Sequence, residues 1–101
     1  MNQAQLMAQV KKMQAEMTKA QEELASTIVT GAAAGGAVTV EASCDQRVKS
    51  VKISKDVVDP EDVETLEDLI VVAINDALAK STETSQRRMA SVTGGMRIPG
   101  L

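Results

Sequence analysis

Histidine, phenylalanine, tyrosine and tryptophan are all missing from the 101 positions, and cysteine appears once. Without histidine the chain lacks the side chain that titrates near neutral pH and most often serves as a general base. Without aromatic rings it cannot grip unpaired bases by stacking. What remains is binding by charge, backbone and aliphatic surface. A lone Cys44 permits no intrachain disulfide and no thiolate zinc site of its own, which fits a reducing compartment and a small residue near a strand end. No catalytic residue, metal site, cofactor or small-molecule substrate is expected. Long apolar runs are also absent. The longest, Leu69 to Ile74, is far short of the roughly 20 residues of a spanning helix, and the first turns of the chain are polar and periodic with no signal-peptide core. A soluble cytoplasmic protein with no membrane partner is the expectation.

The apolar fraction of 44% overstates the core, because 14 of those residues are Ala and 6 are Met. One domain over residues 1–101 is all that this length supports, and its own core is thin. A second copy of the chain would supply the missing burial, so a homodimer is expected. The net charge of −3 hides a segregated distribution. Seven acidic residues and no basic one lie between Asp59 and Asp76, whereas Lys80, Arg87, Arg88 and Arg97 share their stretch with Glu83 alone. Lys11, Lys12 and Lys19 fall early in the chain, and Lys49, Lys52 and Lys55 cluster in its middle. A cationic face is compatible with an acidic whole.

Leu6, Val10, Met13, Met17, Ala20 and Leu24 recur at spacings of three and four, the seam of an amphipathic helix from about Gln3 to Ala25. That seam either packs on its own domain or meets a partner helix. Two β-branched segments follow, Ser26–Thr30 and Val38–Ala42, and then Val48–Ile53, whose apolar spacing of three at Val48 and Val51 predicts a bulge or an edge position. Three short strands on tight loops predict an antiparallel meander. Asp59-Pro60-Glu61-Asp62 predicts the start of a long helix, with Asp59 as N-cap and Pro60 in the first turn. Its apolar stripe runs from Val63 to Leu78, the basic stretch beyond predicts an arm projecting into solvent, and Gly94-Gly95 is expected to end it.

Two motifs invite chemistry and decline it. Gly31 and Gly36 have P-loop spacing, but Ala37 and Val38 stand where Lys and Ser or Thr would be needed, so the segment reads as a flexible hairpin loop. Glu61, Asp62, Glu64, Glu67 and Asp68 lie on an exposed helix face without histidine and read as a solvated surface. Arg87 and Arg88 read either as an ordinary basic helix end or as phosphate contacts, with little acid nearby to neutralise them.

With these segments in place, the chain resembles the YbaB/EbfC family of nucleoid-associated proteins along nearly its whole length. The resemblance rests on Leu6-Met7 through Lys11-Lys12-Met13-Gln14 and Met17, and on Gly31 to Gly36 followed by Val38-Thr39-Val40. It continues through Val48-Lys49-Ser50-Val51-Lys52-Ile53, Asp59-Pro60-Glu61-Asp62, Leu66-Glu67-Asp68-Leu69-Ile70 and Ala73-Ile74-Asn75-Asp76-Ala77, and closes on Thr93-Gly94-Gly95-Met96 and Pro99-Gly100-Leu101. The chain departs from the pattern at Ser43 to Gln46, where relatives tend to carry a turn glycine. The resemblance implies an α+β fold: a long N-terminal helix, a three-stranded antiparallel sheet and a long C-terminal helix in a tweezer-like homodimer. It further implies a non-enzymatic protein of the cytoplasm and nucleoid that binds double-stranded DNA with little sequence specificity. The matching basic positions are Lys11, Lys12 and Lys19 on the first helix and Arg87 and Arg88 on the last. The rival expectation is a protein-interaction adaptor for recombination or replication factors, using the acidic helix face and the arms.

Overall fold

A computed structural model describes residues 2–94. The expected helix end at Gly95, the basic Arg97 and the closing motif residues Met96, Pro99, Gly100 and Leu101 lie outside the described residues. Helix α1 spans Gln3–Ser26, strands β1 (Ile28–Ala33), β2 (Val38–Ser43) and β3 (Arg47–Ile53) form one antiparallel sheet in that order, and helix α2 spans Val63–Thr93. Helix α1 opens with a capping box: the Asn2 carboxamide accepts from the Gln5 amide at 2.8 Å, and the Gln5 side chain accepts from the Asn2 amide at 3.2 Å.

The register divides the sheet into two unlike faces. On the inner face three cross-strand rows run Val29–Ala42–Val48, Gly31–Val40–Val51 and Ala33–Val38–Ile53. Helix α2 lies over the β1 and β2 ends of these rows, burying Ala33, Val38, Val40 and Ala42 against its own Ala73 and Ala77. Full burial of a valine stabilises by about 1.5–3 kcal/mol and of an alanine by less, so a core whose largest buried side chain is Leu24 is thin, as the composition implied. On the β3 side the rows stay open, with Val48, Val51 and Ile53 about 40% exposed. The outer face is polar: Thr30, Glu41 and Ser50 form one row, Ala32, Thr39 and Lys52 another.

Three expectations about local structure are corrected. β1 does not stop at Gly31; Ala32 and Ala33 pair with Thr39 and Val38, and the hairpin is confined to a short turn in which Ala34, Gly35 and Gly36 all take positive φ. Gly31 lies within the strand because helix α2 packs directly on it, a Cβ there running into the backbone of Ala73 and Ala77, whereas Gly35 and Gly36 have open space around them and serve the positive φ of the turn. Asp59 caps no helix: its carboxylate accepts from the Glu61 amide at 2.9 Å and its carbonyl from the Asp62 amide at 3.0 Å, making a turn with Pro60 in its second position. Asp62 is the N-cap, bonded to both the amide and the hydroxyl of Thr65. The end of α2 does not project free, because Arg88 and Val92 pack against α1, leaving Val92 buried. Helix α2 ends where expected, at Thr93 with Gly94 as its C-cap in right-handed conformation.

The seam of α1 is divided between the two readings open to it. Ala20 and Leu24 are buried on their own domain, while Leu6, Met7 and Val10 are 40–53% exposed. The bulge expected in β3 is present: Glu41 opposes Ser50 and Ala42 opposes Val48, which leaves Lys49 as the extra residue, and β3 is an edge strand. At the departure from the family pattern, Gln46 itself takes φ +68, the position where a three-residue hairpin loop usually carries glycine. Its carboxamide donates to Ser81 Oγ at 2.6 Å and Thr82 Oγ1 at 3.0 Å, and the buried Ser81 hydroxyl donates onward to the Ser43 carbonyl at 3.0 Å. The strain of a left-handed glutamine is offset by a polar clasp between the hairpin and α2.

Candidate nucleic-acid interface

Ion pairing sorts the basic residues into two kinds. Arg47 pairs with Asp45 at 3.7 Å, Lys80 with Asp76 at 3.2 Å, Arg87 with Glu83 at 2.8 Å and Arg88 with Glu23 at 2.9 Å. Among the described residues, Lys11, Lys12, Lys19, Lys49, Lys52 and Lys55 form no such pair. All six are exposed.

The reading of Arg87 and Arg88 as little neutralised is therefore corrected. Arg87 meets a carboxylate one turn back on its own helix; both side chains are about 70% exposed, so the pair is worth roughly 0.3–0.5 kcal/mol and exchanges readily for another anion. Arg88 is more committed: it ties α2 to Glu23 of α1 across the interhelical contact and donates to Ser91 Oγ at 2.9 Å. Lys80, counted with the basic end in the sequence, instead holds α2 to the sheet, its ammonium donating to the Thr30 carbonyl at 3.0 Å while Asp76 accepts from the Ala32 amide at 3.0 Å.

Lys11, Lys12 and Lys19 are carried on the exposed length of α1. Lys12 and Lys19 are seven residues apart, two helical turns, so they share a face about 10 Å long, with Lys11 a further 100° around. That face turns toward the end of α2, where Glu16, Lys19, Arg88, Ser91 and Val92 line a shallow groove. The α1 lysines and the α2 arginines thus stand together only at Lys19 and Arg88. Lys49, Lys52 and Lys55 form a separate set on and just beyond β3, which sequence reading noted as a cluster without assigning it a role. Among the described residues no group of His, Cys, Asp and Glu is arranged to hold a metal ion, and no helix is long and apolar enough to cross a membrane.

Four carboxyls are held below their ordinary pKa, each chiefly by a hydrogen bond: Glu23 by Arg88, Asp45 by the Ser43 hydroxyl, Asp62 by the Thr65 hydroxyl and Asp76 by the Ala32 amide. A depressed pKa means that the unfolded chain binds the proton first, so the stabilisation is complete above the unfolded value and is lost as pH falls through the folded one. With no histidine to titrate, the melting temperature is expected to be level from pH 7 to 5 and to fall below about pH 4. Circular dichroism melts across pH 3–8 check this; a drop between pH 7 and 5 would contradict it.

Known proteins match the chain at the level of both sequence and fold. A nucleoid-associated protein of Chloroflexus aurantiacus is 53% identical over 97 residues, covering 96% of this chain and 97% of the relative. A nucleoid-associated protein of Syntrophobacter fumaroxidans is 50% identical over 95 residues, covering 94% and 86%. The crystal structure of the uncharacterized protein HP0035 from Helicobacter pylori superposes with a TM-score of 0.75 over 86% of this chain and 91% of that one, at 24% identity, and so shares the fold. Residues 1–96 match the YbaB/EbfC DNA-binding family, a family described by DNA binding rather than by a reaction. The ordered motifs, the helix–sheet–helix architecture and these matches agree, and the chain belongs to the YbaB/EbfC DNA-binding family.

Proposed function

We propose that the chain acts as a non-enzymatic homodimer in the cytoplasm that binds double-stranded DNA through its phosphates, with little sequence preference, and helps to organise the nucleoid. The observation that carries the reading is the set of unpaired lysines on α1, Lys11, Lys12 and Lys19, on an exposed helix with no competing ion pair among the described residues. The names and DNA-binding description of its relatives support it. Flexible ammonium groups act as point charges toward phosphate and carry no base readout. Arg87 is a weaker candidate contact and Arg88 a weaker one still, since each must first leave a carboxylate.

The dimer is supported by apolar surface that one chain leaves open: Leu6, Met7 and Val10 on α1, and the Val48, Val51 and Ile53 edge of the inner sheet face. Light scattering is expected to give about twice the chain mass of 10.7 kDa. Fluorescence anisotropy with random and scrambled duplexes at several salt concentrations tests the DNA reading. Similar affinities for all duplexes, with log K falling linearly against log salt, are expected. Absence of duplex binding, together with salt-insensitive capture of a single replication or recombination protein, would replace this reading with the adaptor.

A further inference from the structure

We infer that the outer face of the sheet, through Lys52 with the hydroxyls of Thr39 and Ser50, together with the β3 edge beside it, through Lys49 at the bulge and Lys55 just beyond the strand, is a second phosphate-contacting surface for duplex DNA, separate from the helices. The inference rests on the DNA-binding reading above and adds a site to it. Three observations converge on this face. First, these lysines make up half of the described cations without a carboxylate partner, whereas every described arginine has one. Second, no helix among the described residues covers the face. Helix α2 occupies the opposite side of the sheet, and α1 reaches only its end, where the Cys44 amide donates to the Leu24 carbonyl at 3.0 Å. Third, the register places Lys52 beside Thr39 and Ser50 beside Glu41 on that open side, so a cation and two hydroxyl donors share a shallow surface without bulky side chains.

The arrangement matches a phosphate backbone better than an apolar or acidic partner. Lys49 and Lys52 are three residues apart, about 10 Å along a strand. Duplex DNA carries one charge per roughly 1.7 Å of its axis, so that reach faces several phosphates at once. The bulge at Lys49 adds local twist at an edge whose lysines also discourage strand addition by another protein. Three carboxylates border the set, of which Asp56, exposed beside Lys55 in the turn after β3, forms no ion pair among the described residues. Asp45 is engaged by Arg47 and by the Ser43 hydroxyl. Glu41, half-buried in the middle of the face, has no ion pair among the described residues and would oppose an approaching phosphate.

That last point makes the proposal testable in both directions. The full-length chain carrying Lys49→Gln, Lys52→Gln and Lys55→Gln is compared with the parent by anisotropy on a random duplex between 0.05 and 0.3 M salt. Each lost contact is expected to make the salt slope shallower by about 0.9 and to weaken binding about eightfold at 0.1 M salt. Glu41→Gln should tighten binding several-fold. Because all three lysines are exposed, the circular dichroism spectrum should stay parental; should the triple variant fail to fold, Glu41→Gln decides alone. A folded triple variant with parental slope and affinity would overturn the proposal, as would an unchanged Glu41→Gln when it decides alone. A parent chain that binds no duplex at any salt concentration would overturn the DNA reading itself and this site with it.

Discussion

Replacing Gly31 by alanine is expected to lower the melting temperature by roughly 10–20 °C, more than the same change at Gly35. A Cβ built there falls 2.8 Å from Ala77 Cα and closer still to the Ala77 amide nitrogen and the Ala73 carbonyl oxygen. All three are helix backbone and none can rotate aside. To restore ordinary contact, α2 must retreat from the sheet by about 1 Å, which weakens dispersion contacts along the whole Ala73–Ala77 line. The same retreat stretches the Asp76 bond to the Ala32 amide and the Lys80 bond to the Thr30 carbonyl, the polar ties on either side of Gly31. Overpacking of this kind costs about 1–3 kcal/mol or more, a large share of the roughly 5–15 kcal/mol that holds a domain together. Gly35→Ala is the matched control: nothing lies within 4 Å of the new Cβ, and only its φ of +66 is unfavourable, for about 1–2 kcal/mol. Thermal denaturation of the two variants separates the causes. A Gly31→Ala chain melting with the parent, or no lower than Gly35→Ala, would show that α2 is not seated on Gly31 as described.

Gly31 also marks where the sequence was legible and where it was not. Local periodicity placed α1 within one residue of its observed ends, and alternation located β2, the edge strand and its bulge. Signals with two local meanings misled. Glycine after a β-branched run reads as a strand end, yet at Gly31 it satisfies a neighbour more than 40 residues away. Asp59-Pro60 suits a helix start and a turn equally, and the choice fell to Asp62, three residues on, because its carboxylate reaches Thr65. Charge pairing divided the same way. The Arg87–Glu83 pair is visible as an i,i+4 spacing, but Arg88–Glu23 spans 65 residues and exists only once α2 folds back along α1. The α1 lysines, with no such fold-dependent partner among the described residues, stand as the sequence placed them.

Neutralising Lys11, Lys12 and Lys19 together with glutamine is expected to cost on the order of 500-fold in duplex affinity at 0.1 M salt if all three meet phosphates, with the salt slope shallower by about 2.7. The figure follows from about 0.9 in slope per phosphate, a factor near eight for each at that salt concentration. Geometry predicts an order within the three. Lys12 and Lys19 share one face of α1, so changing that pair should account for about 60-fold, and Lys11, 100° around the helix, for the remaining factor. Glu16 lies between Lys12 and Lys19 on the same face and in the groove beside Arg88, so Glu16→Gln should tighten binding. The arginines should behave differently from the lysines and from each other. Arg87→Gln is expected to weaken binding less than any α1 lysine, because its gain from a phosphate is reduced by the loss of Glu83. Arg88→Gln should lower the melting temperature, because it frees Glu23 from the only ion pair between the two helices among the described residues. Loss of affinity without loss of secondary structure in the triple variant, at an unchanged dimer mass, would identify α1 as a contact surface. Parental affinity and slope in that variant would remove α1 from the interface and leave the sheet face as the place where phosphate binds.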